Sequence, residues 1–188
     1  MMNNSVTRSE ILNLVRRYAE EKFSKQPFNS ENDRVSVTGK VIGPDEVSNM
    51  VSACLDGWLT AGRFNMAFQK KLGEWLGVNH VLTVNSGSSA NLVAFSTLTS
   101  PKLGNRAIKK GDEVISVAGG FPTTINPIVQ FGAVPVFVDL ELETHNINVS
   151  QIEAAISEKT KAIMIAHALG NPFDAVRIRE ICDKYKLW

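Results

Sequence analysis

Apolar residues recur at helical spacing through roughly the first eighty positions and fall into short blocks after that. Ile11, Leu14, Val15 and Tyr18 share one face of a helix opened by the capping box Thr7-Arg8-Ser9-Glu10, expected to run to about Lys25 and to end before Pro27. Residues 28–43 are polar, β-leaning and aperiodic, a linker or a loose hairpin. Gly43-Pro44 opens a second helix, with Asp45 and Glu46 at the positive end of its dipole. Gly57-Trp58-Leu59-Thr60-Ala61-Gly62-Arg63 interrupts the pattern. A third helix follows, with Phe64, Phe68, Leu72, Trp75 and Leu76 as its stripe and Gly77 as its stop.

From His80 the chain alternates strand with helix. The expected strands are His80–Val84, Glu113–Val117, Val134–Val138 and Lys161–Ala166. The expected helices are Ala90–Leu98, Thr123–Phe131, Gln151–Ile156 (opened by Ser150, with Glu153 three positions on) and Phe173–Tyr185. Short apolar strands separated by helices predict an α/β fold, a mainly parallel sheet with helices on both faces, preceded by N-terminal helices. Leu187-Trp188 reads as the first step of another buried strand, so the chain is expected to be an N-terminal piece of a longer protein.

Composition narrows the function classes without naming one. The hydrophobic fraction of 44% and charged fraction of 21% over 188 residues are those of a globular chain with a real core. A net charge of +1 gives no general pull toward nucleic acid or anionic membrane. No secretory signal or membrane span is visible, and a cytoplasmic protein is expected. Cys54 and Cys182 form no Cys-x-x-Cys pair and read as small apolar residues in a reducing compartment, with no metal site.

Candidate chemistry gathers where strands should end. Asn85-Ser86-Gly87-Ser88-Ser89-Ala90-Asn91 sits between a strand and a helix, so its backbone N–H groups face an anion at the positive end of the dipole. The same residues also suit a plain turn whose serines cap the helix. Gly119-Gly120-Phe121-Pro122-Thr123-Thr124 follows the second expected strand and His167-Ala168-Leu169-Gly170-Asn171-Pro172 the last. Ligands of open α/β sheets collect at carboxyl strand ends where the strand order reverses. Phosphate donors, an aromatic ring and a His/Asn pair on one rim suit a phosphorylated, flat heteroaromatic ligand. Phe121 either stacks on it or packs in the core; His167 either touches it or is a hydrogen-bonded structural histidine.

These residues carry a family likeness. Gly57 to Gly62, Ser86-Gly87-Ser88-Ser89-Ala90-Asn91-Leu92, Gly111-Asp112-Glu113-Val114-Ile115, Pro135-Val136-Phe137-Val138-Asp139, Asn146-Ile147 and His167 to Pro172 resemble, in order, the DegT/DnrJ/EryC1/StrS nucleotide-sugar aminotransferase family of vitamin-B6 enzymes. The likeness covers roughly residues 42–188. It implies a PLP-dependent transferase large domain of fold type I, aspartate-aminotransferase-like, incomplete over 44–188 and preceded by a helix and linker over 1–43. Ser88-Ser89 after the glycine, Phe121-Pro122-Thr123-Thr124-Ile125-Asn126-Pro127, the Ala166–Asp174 stretch and Leu98–Gly104 resemble the 3-dehydrase branch of that family.

The likeness implies a dehydrase that removes the carbon-3 hydroxyl of a CDP-linked 4-keto-6-deoxyhexose, a step toward the 3,6-dideoxysugars of lipopolysaccharide O-antigen. Pyridoxamine or pyridoxal phosphate is the implied cofactor. A two-iron cluster fed by a flavin iron–sulfur reductase, and a homodimer, are implied for the full-length protein. By position, Gly87, Ser88 and Ser89 would hold the cofactor phosphate and Phe121 would stack on its ring, with His167 and Asn171 near the site. The implied base, pyridine-nitrogen carboxylate and cluster cysteines all fall beyond Trp188, so these residues alone are expected to be inactive. A PLP-dependent sugar aminotransferase stays open as an alternative. So does a nucleotide- or partner-binding module without B6 chemistry, although neither Gly-x-Gly-x-x-Gly nor a Walker lysine accompanies Gly87.

Overall fold

The computed structural model describes residues 6–24, 27–36 and 38–188, which fall into two compact units divided between Thr83 and Val84. In the first, α1 (Arg8–Lys22) opens on the expected capping box: the Thr7 side chain accepts from the Glu10 amide, and the Glu10 carboxylate accepts from the Thr7 amide at 2.7 Å. Lys25, the expected end of this helix, lies outside the described residues. Helix α2 (Pro44–Leu55) has proline in its first turn, and α3 (Arg63–Leu76) ends on Gly77 in the left-handed region at φ 68°. Residues 28–43 carry neither helix nor strand among those described.

The expected apolar faces of these helices are largely open. Leu14 and Tyr18 are each 62% exposed and Trp75 81%, while Ala19 and Gly73 are buried. Charge links α1 to α2 instead: Arg8 Nη2 donates to Ser52 Oγ and to Asp56 Oδ1, each at 2.7 Å, and Asp56 also accepts from Arg63 Nε at 2.8 Å. The two guanidiniums hold the Asp56 carboxyl below its ordinary pKa.

The second unit is a layered α/β structure. Its strands, β1 (Glu113–Val117), β2 (Val134–Val138) and β3 (Thr160–Ile163), form a parallel sheet in the order β2-β1-β3. Helices α4 (Gly87–Leu98) and α5 (Pro122–Gln130) precede and follow β1, and α6 (Ala175–Tyr185) follows β3. Alternation along β1 sends Ile115 and Val117 into a core with Val138, Ile152, Ile178 and Ile181. Val114 goes the other way, into a core with Phe95, Ile128 and Ala162. Both faces of the central strand are therefore covered, as a run of apolar residues in a parallel strand requires.

Three expectations need correction. His80–Val84 is not a strand: no bridge joins it to the described strands, and Leu82 is 78% exposed. Its β-rich composition lacks a neighbour with which to form a ladder. Gln151–Ile156 is not an α-helix but parts of two 3₁₀ turns, Val149–Gln151 and Glu153–Ala155. Asn148 Oδ1 accepts from both the amide and the hydroxyl of Ser150, a local alternative to helical bonding. The last strand stops at Ile163, though the Met164 amide still donates to the Ile115 carbonyl at 2.9 Å. Leu187-Trp188 behaves as expected: Trp188 donates to the Lys161 carbonyl at 2.9 Å and accepts from the Ile163 amide at 3.0 Å.

Candidate active site

The chain leaves β1 toward β2 on one side of the sheet, while the segment after β3 leads through α6 to Trp188 on the other. The carboxyl ends of β1 and β3 thus flank the point where the connections diverge, where an open α/β sheet offers a crevice. A hollow of about 520 Å³ lies there. Val117, Gly119, Phe121 and Thr124 line it from the β1 side, and Ile165 to Leu169 from the β3 side. Leu140, His145 and Ile147 line it from the turn after β2. Its volume is within the usual range for small-molecule sites.

Phe121 is the N-cap residue of α5 and is 69% exposed, so its ring is a free aromatic face and not part of the core. His167 lines the same hollow and is fixed twice over. Its Nδ1 accepts from the Phe173 amide at 3.1 Å, and its ring stacks on Phe173 with centroids 4.0 Å apart. With Nδ1 used as an acceptor, the ring hydrogen sits on Nε2, which is left to act as a donor. His167 is thus a hydrogen-bonded structural histidine that also lines the hollow.

Ser86 caps α4, its hydroxyl oxygen accepting from the Ser89 amide at 3.1 Å. The Gly87 and Ser88 amides, first in the helix, have no intrahelical acceptor and sit at the positive dipole end. Ser88 Oγ donates to Thr123 Oγ1 at 3.2 Å, and Asn91 Nδ2 to the Thr123 carbonyl at 3.4 Å. These bonds tie the start of α4 to the start of α5, just beyond Phe121. Gly87, Ser88 and Ser89 do not line the hollow themselves; they adjoin its Phe121 wall through Thr123.

Asn171 does not line the hollow either. Its Nδ2 donates to the Thr144 carbonyl at 3.1 Å, and its amide closes the 168–171 turn on the Ala168 carbonyl at 2.7 Å. Asn146 answers from the facing turn: its Nδ2 donates to the Asn171 carbonyl at 3.1 Å and its Oδ1 accepts from the Ala168 amide at 3.0 Å. Two asparagines thus clamp the turn that carries His145 to the turn that carries His167. Sequence reading did not single out this clamp, nor His145 or Thr124. The available sign for Asn146 was its place in the Asn146-Ile147 pair of the family likeness, whereas a lone loop histidine gives none.

Residues 41–188 match the model of the DegT/DnrJ/EryC1/StrS aminotransferase family. This chain belongs to that family. The match begins where the likeness read from the sequence begins. Among the family's members, the chain is 61% identical to the lipopolysaccharide biosynthesis protein RfbH of Salmonella typhimurium, over 96% of this chain and 41% of that protein. It is 46% identical to the dTDP-4-dehydro-2,6-dideoxy-D-glucose 3-dehydratase of Saccharopolyspora spinosa, over 96% and 39%. A crystal structure of a GDP-4-keto-6-deoxymannose-3-dehydratase with a trapped PLP-glutamate geminal diamine superposes with a TM-score of 0.73 at 30% identity, over 79% of this chain and 38% of that one. The chain spans about two fifths of the length of the curated relatives it matches, by the 41% and 39% above. Its fold is that of the N-terminal part of a fold-type I, PLP-dependent transferase large domain.

Proposed function

We propose that this chain is the N-terminal part of a B6-dependent dehydrase that removes the carbon-3 hydroxyl of a CDP-linked 4-keto-6-deoxyhexose. One observation carries the proposal: an exposed phenyl ring lines the hollow at the diverging strand ends, beside a helix start with unpaired amides. That donor set fits pyridoxamine or pyridoxal phosphate. The Gly87 and Ser88 amides and the Ser89 hydroxyl are donors for a phosphate, and Gly87 leaves open space where a side chain would stand. Phe121 offers a face for a pyridine ring. His167 presents Nε2–H toward the hollow, while Asn171 acts at one remove, as a positioning residue. The cofactor, when bound, supplies an electron sink for bond cleavage next to the sugar carbonyl. This chain's residues bind and orient it, and they shield the hollow with apolar wall.

The dehydrase relatives favour dehydration over amine transfer, as do the branch details at Ser88-Ser89 and Phe121 to Pro127. The base, an iron–sulfur cluster, its flavin reductase and a homodimeric state belong to the same reading of the full-length protein. Residues 1–188 alone are expected to be inactive. The test is the double substitution Ser88→Ala with Ser89→Ala in the full-length protein. Bound cofactor after gel filtration, read by absorbance, should fall about tenfold, the weight of roughly one charge-assisted hydrogen bond. The urea midpoint should change little. Unchanged cofactor content would remove the phosphate role.

A further inference from the structure

The hollow has walls that the cofactor contacts do not use. Among its lining residues there is no lysine, arginine, aspartate or glutamate. Its polar side chains are Thr124, His145 and His167, set among aliphatic residues. An uncharged cavity with an aromatic face and a few convergent hydroxyl and imidazole groups suits a neutral hydroxylated ring better than a phosphate.

Two of these groups have nothing else to do in the fold. Thr124 is 8% exposed, and among the described residues its hydroxyl has no hydrogen-bond partner. His145 stands on its turn at φ 58°, a conformation that non-glycine residues seldom adopt. Its amide donates to the Glu141 carbonyl at 2.8 Å, yet among the described residues its imidazole bonds to nothing. The Asn146–Asn171 clamp ties this turn to the 168–171 turn. His167, by contrast, has already given one nitrogen to Phe173. His145 is itself exposed, so its position rests on the partly buried clamp network, and its unpartnered ring is one of the residues lining the cavity. A backbone held in a sparsely populated region beside a cavity is a common mark of a working site.

We propose that His145 and Thr124 form the sugar subsite of this cavity, hydrogen-bonding the hydroxyl or carbonyl oxygens of the hexose ring. The proposal deepens the dehydrase reading and rests on it. The two groups favour the nucleotide that carries a sugar over the free nucleotide, and leave binding of the nucleotide moiety and of the cofactor unchanged.

The test uses the full-length protein with cofactor bound. CDP-, dTDP- and GDP-glucose are each titrated beside the free nucleoside diphosphate, and the ratio of the two Kd values is taken for whichever nucleotide binds. His145→Phe and Thr124→Val should each cut the preference for the sugar conjugate about tenfold, the effect of one lost hydrogen bond. Free-nucleotide affinity and bound B6 absorbance should stay at wild-type values. His145→Gln, which keeps a donor and an acceptor, should restore most of the preference. An unchanged ratio in both His145→Phe and Thr124→Val overturns the subsite, and so does loss of cofactor in either, which would put these residues at the cofactor instead. Wild-type protein that binds neither B6 cofactor nor any sugar nucleotide overturns the dehydrase reading itself, and the subsite with it.

Discussion

Asn146 is 4% exposed, and its side-chain amide spans two turns, donating to the Asn171 carbonyl and accepting from the Ala168 amide. Truncating it would leave the Ala168 N–H and the Asn171 C=O without these partly buried bonds. Asn146→Ala should therefore cost about 2–4 kcal/mol in urea unfolding of the full-length protein, the penalty for one or two orphaned backbone groups. Asn171→Ala removes a single bond to the Thr144 carbonyl from an exposed residue and should cost about 1 kcal/mol or less. Equal costs for the two would show that the clamp does not depend on burial. The places of Phe121 and His167 beside the hollow were legible in the sequence because both follow strands, and the cap at the start of α4 was legible from its serines. Asn171 was legible as a neighbour of the site, but its bonding to Thr144 was not, because that contact joins residues twenty-seven apart in sequence. His145 was invisible for a related reason: a turn's backbone conformation and the cavity opposite it are both products of the folded whole.

Helix α3 shows how a single close approach overrides propensity. Glycine in a helix interior is about 1 kcal/mol worse than alanine, so Gly73→Ala would ordinarily stabilise. Here a Cβ at Gly73 would stand 2.9 Å from the Val78 backbone carbonyl oxygen and 3.5 Å from Val81 Cγ2. The chain turns back at Gly77, and the Gly77 and Val78 amides both bond to the Gly73 carbonyl, so Val78 cannot move away freely. Gly73→Ala should cost about 1–3 kcal/mol, as overpacking does. A higher thermal midpoint for the variant would show that the return loop yields. Elements with local signals were readable in the same way. Thr7 with Glu10, Gly43-Pro44 and Gly77 marked helix ends that the structure keeps, and the apolar blocks at β1 and β2 fell on the expected residues. The failures are informative because they depend on partners. His80–Val84 has strand composition, but a strand exists only in a ladder. Residues 151–156 have a helical pattern, yet Asn148 offers the backbone a tighter local bond at the start.

Among the described residues, three carboxylates sit below their ordinary pKa values, each for a reason visible in its contacts. Glu10 is held down by the Thr7 amide and hydroxyl, Asp56 by Arg63 and Arg8, and Glu153 by Lys184, with Tyr185 and Arg177 adding to it. Glu153 ties the 3₁₀ segment to α6: Lys184 Nζ donates to Oε2 at 2.9 Å and Tyr185 Oη to the same oxygen at 3.2 Å. The direction of the pH effect follows from linkage. A carboxylate with a folded pKa below its unfolded one binds fewer protons when folded, so it adds stability above the unfolded value. That contribution is lost as pH falls through the folded value. The ordinary values are 4.5 for the two glutamates and 3.8 for the aspartate, so the loss should start just above that range and continue below it. All three groups face solvent, and salt screens such pairs, so the effect should shrink in 1 M NaCl, where the screening length is about 3 Å. The urea midpoint of the full-length protein, followed from pH 7 to pH 3, should fall less steeply in Glu10→Gln, Asp56→Asn and Glu153→Gln than in wild type. As the pH falls below the folded values and the wild-type carboxylates take up protons, the variants should approach wild-type stability. A variant that keeps the full wild-type slope would show that its carboxylate is no better held in the folded chain than in the unfolded one.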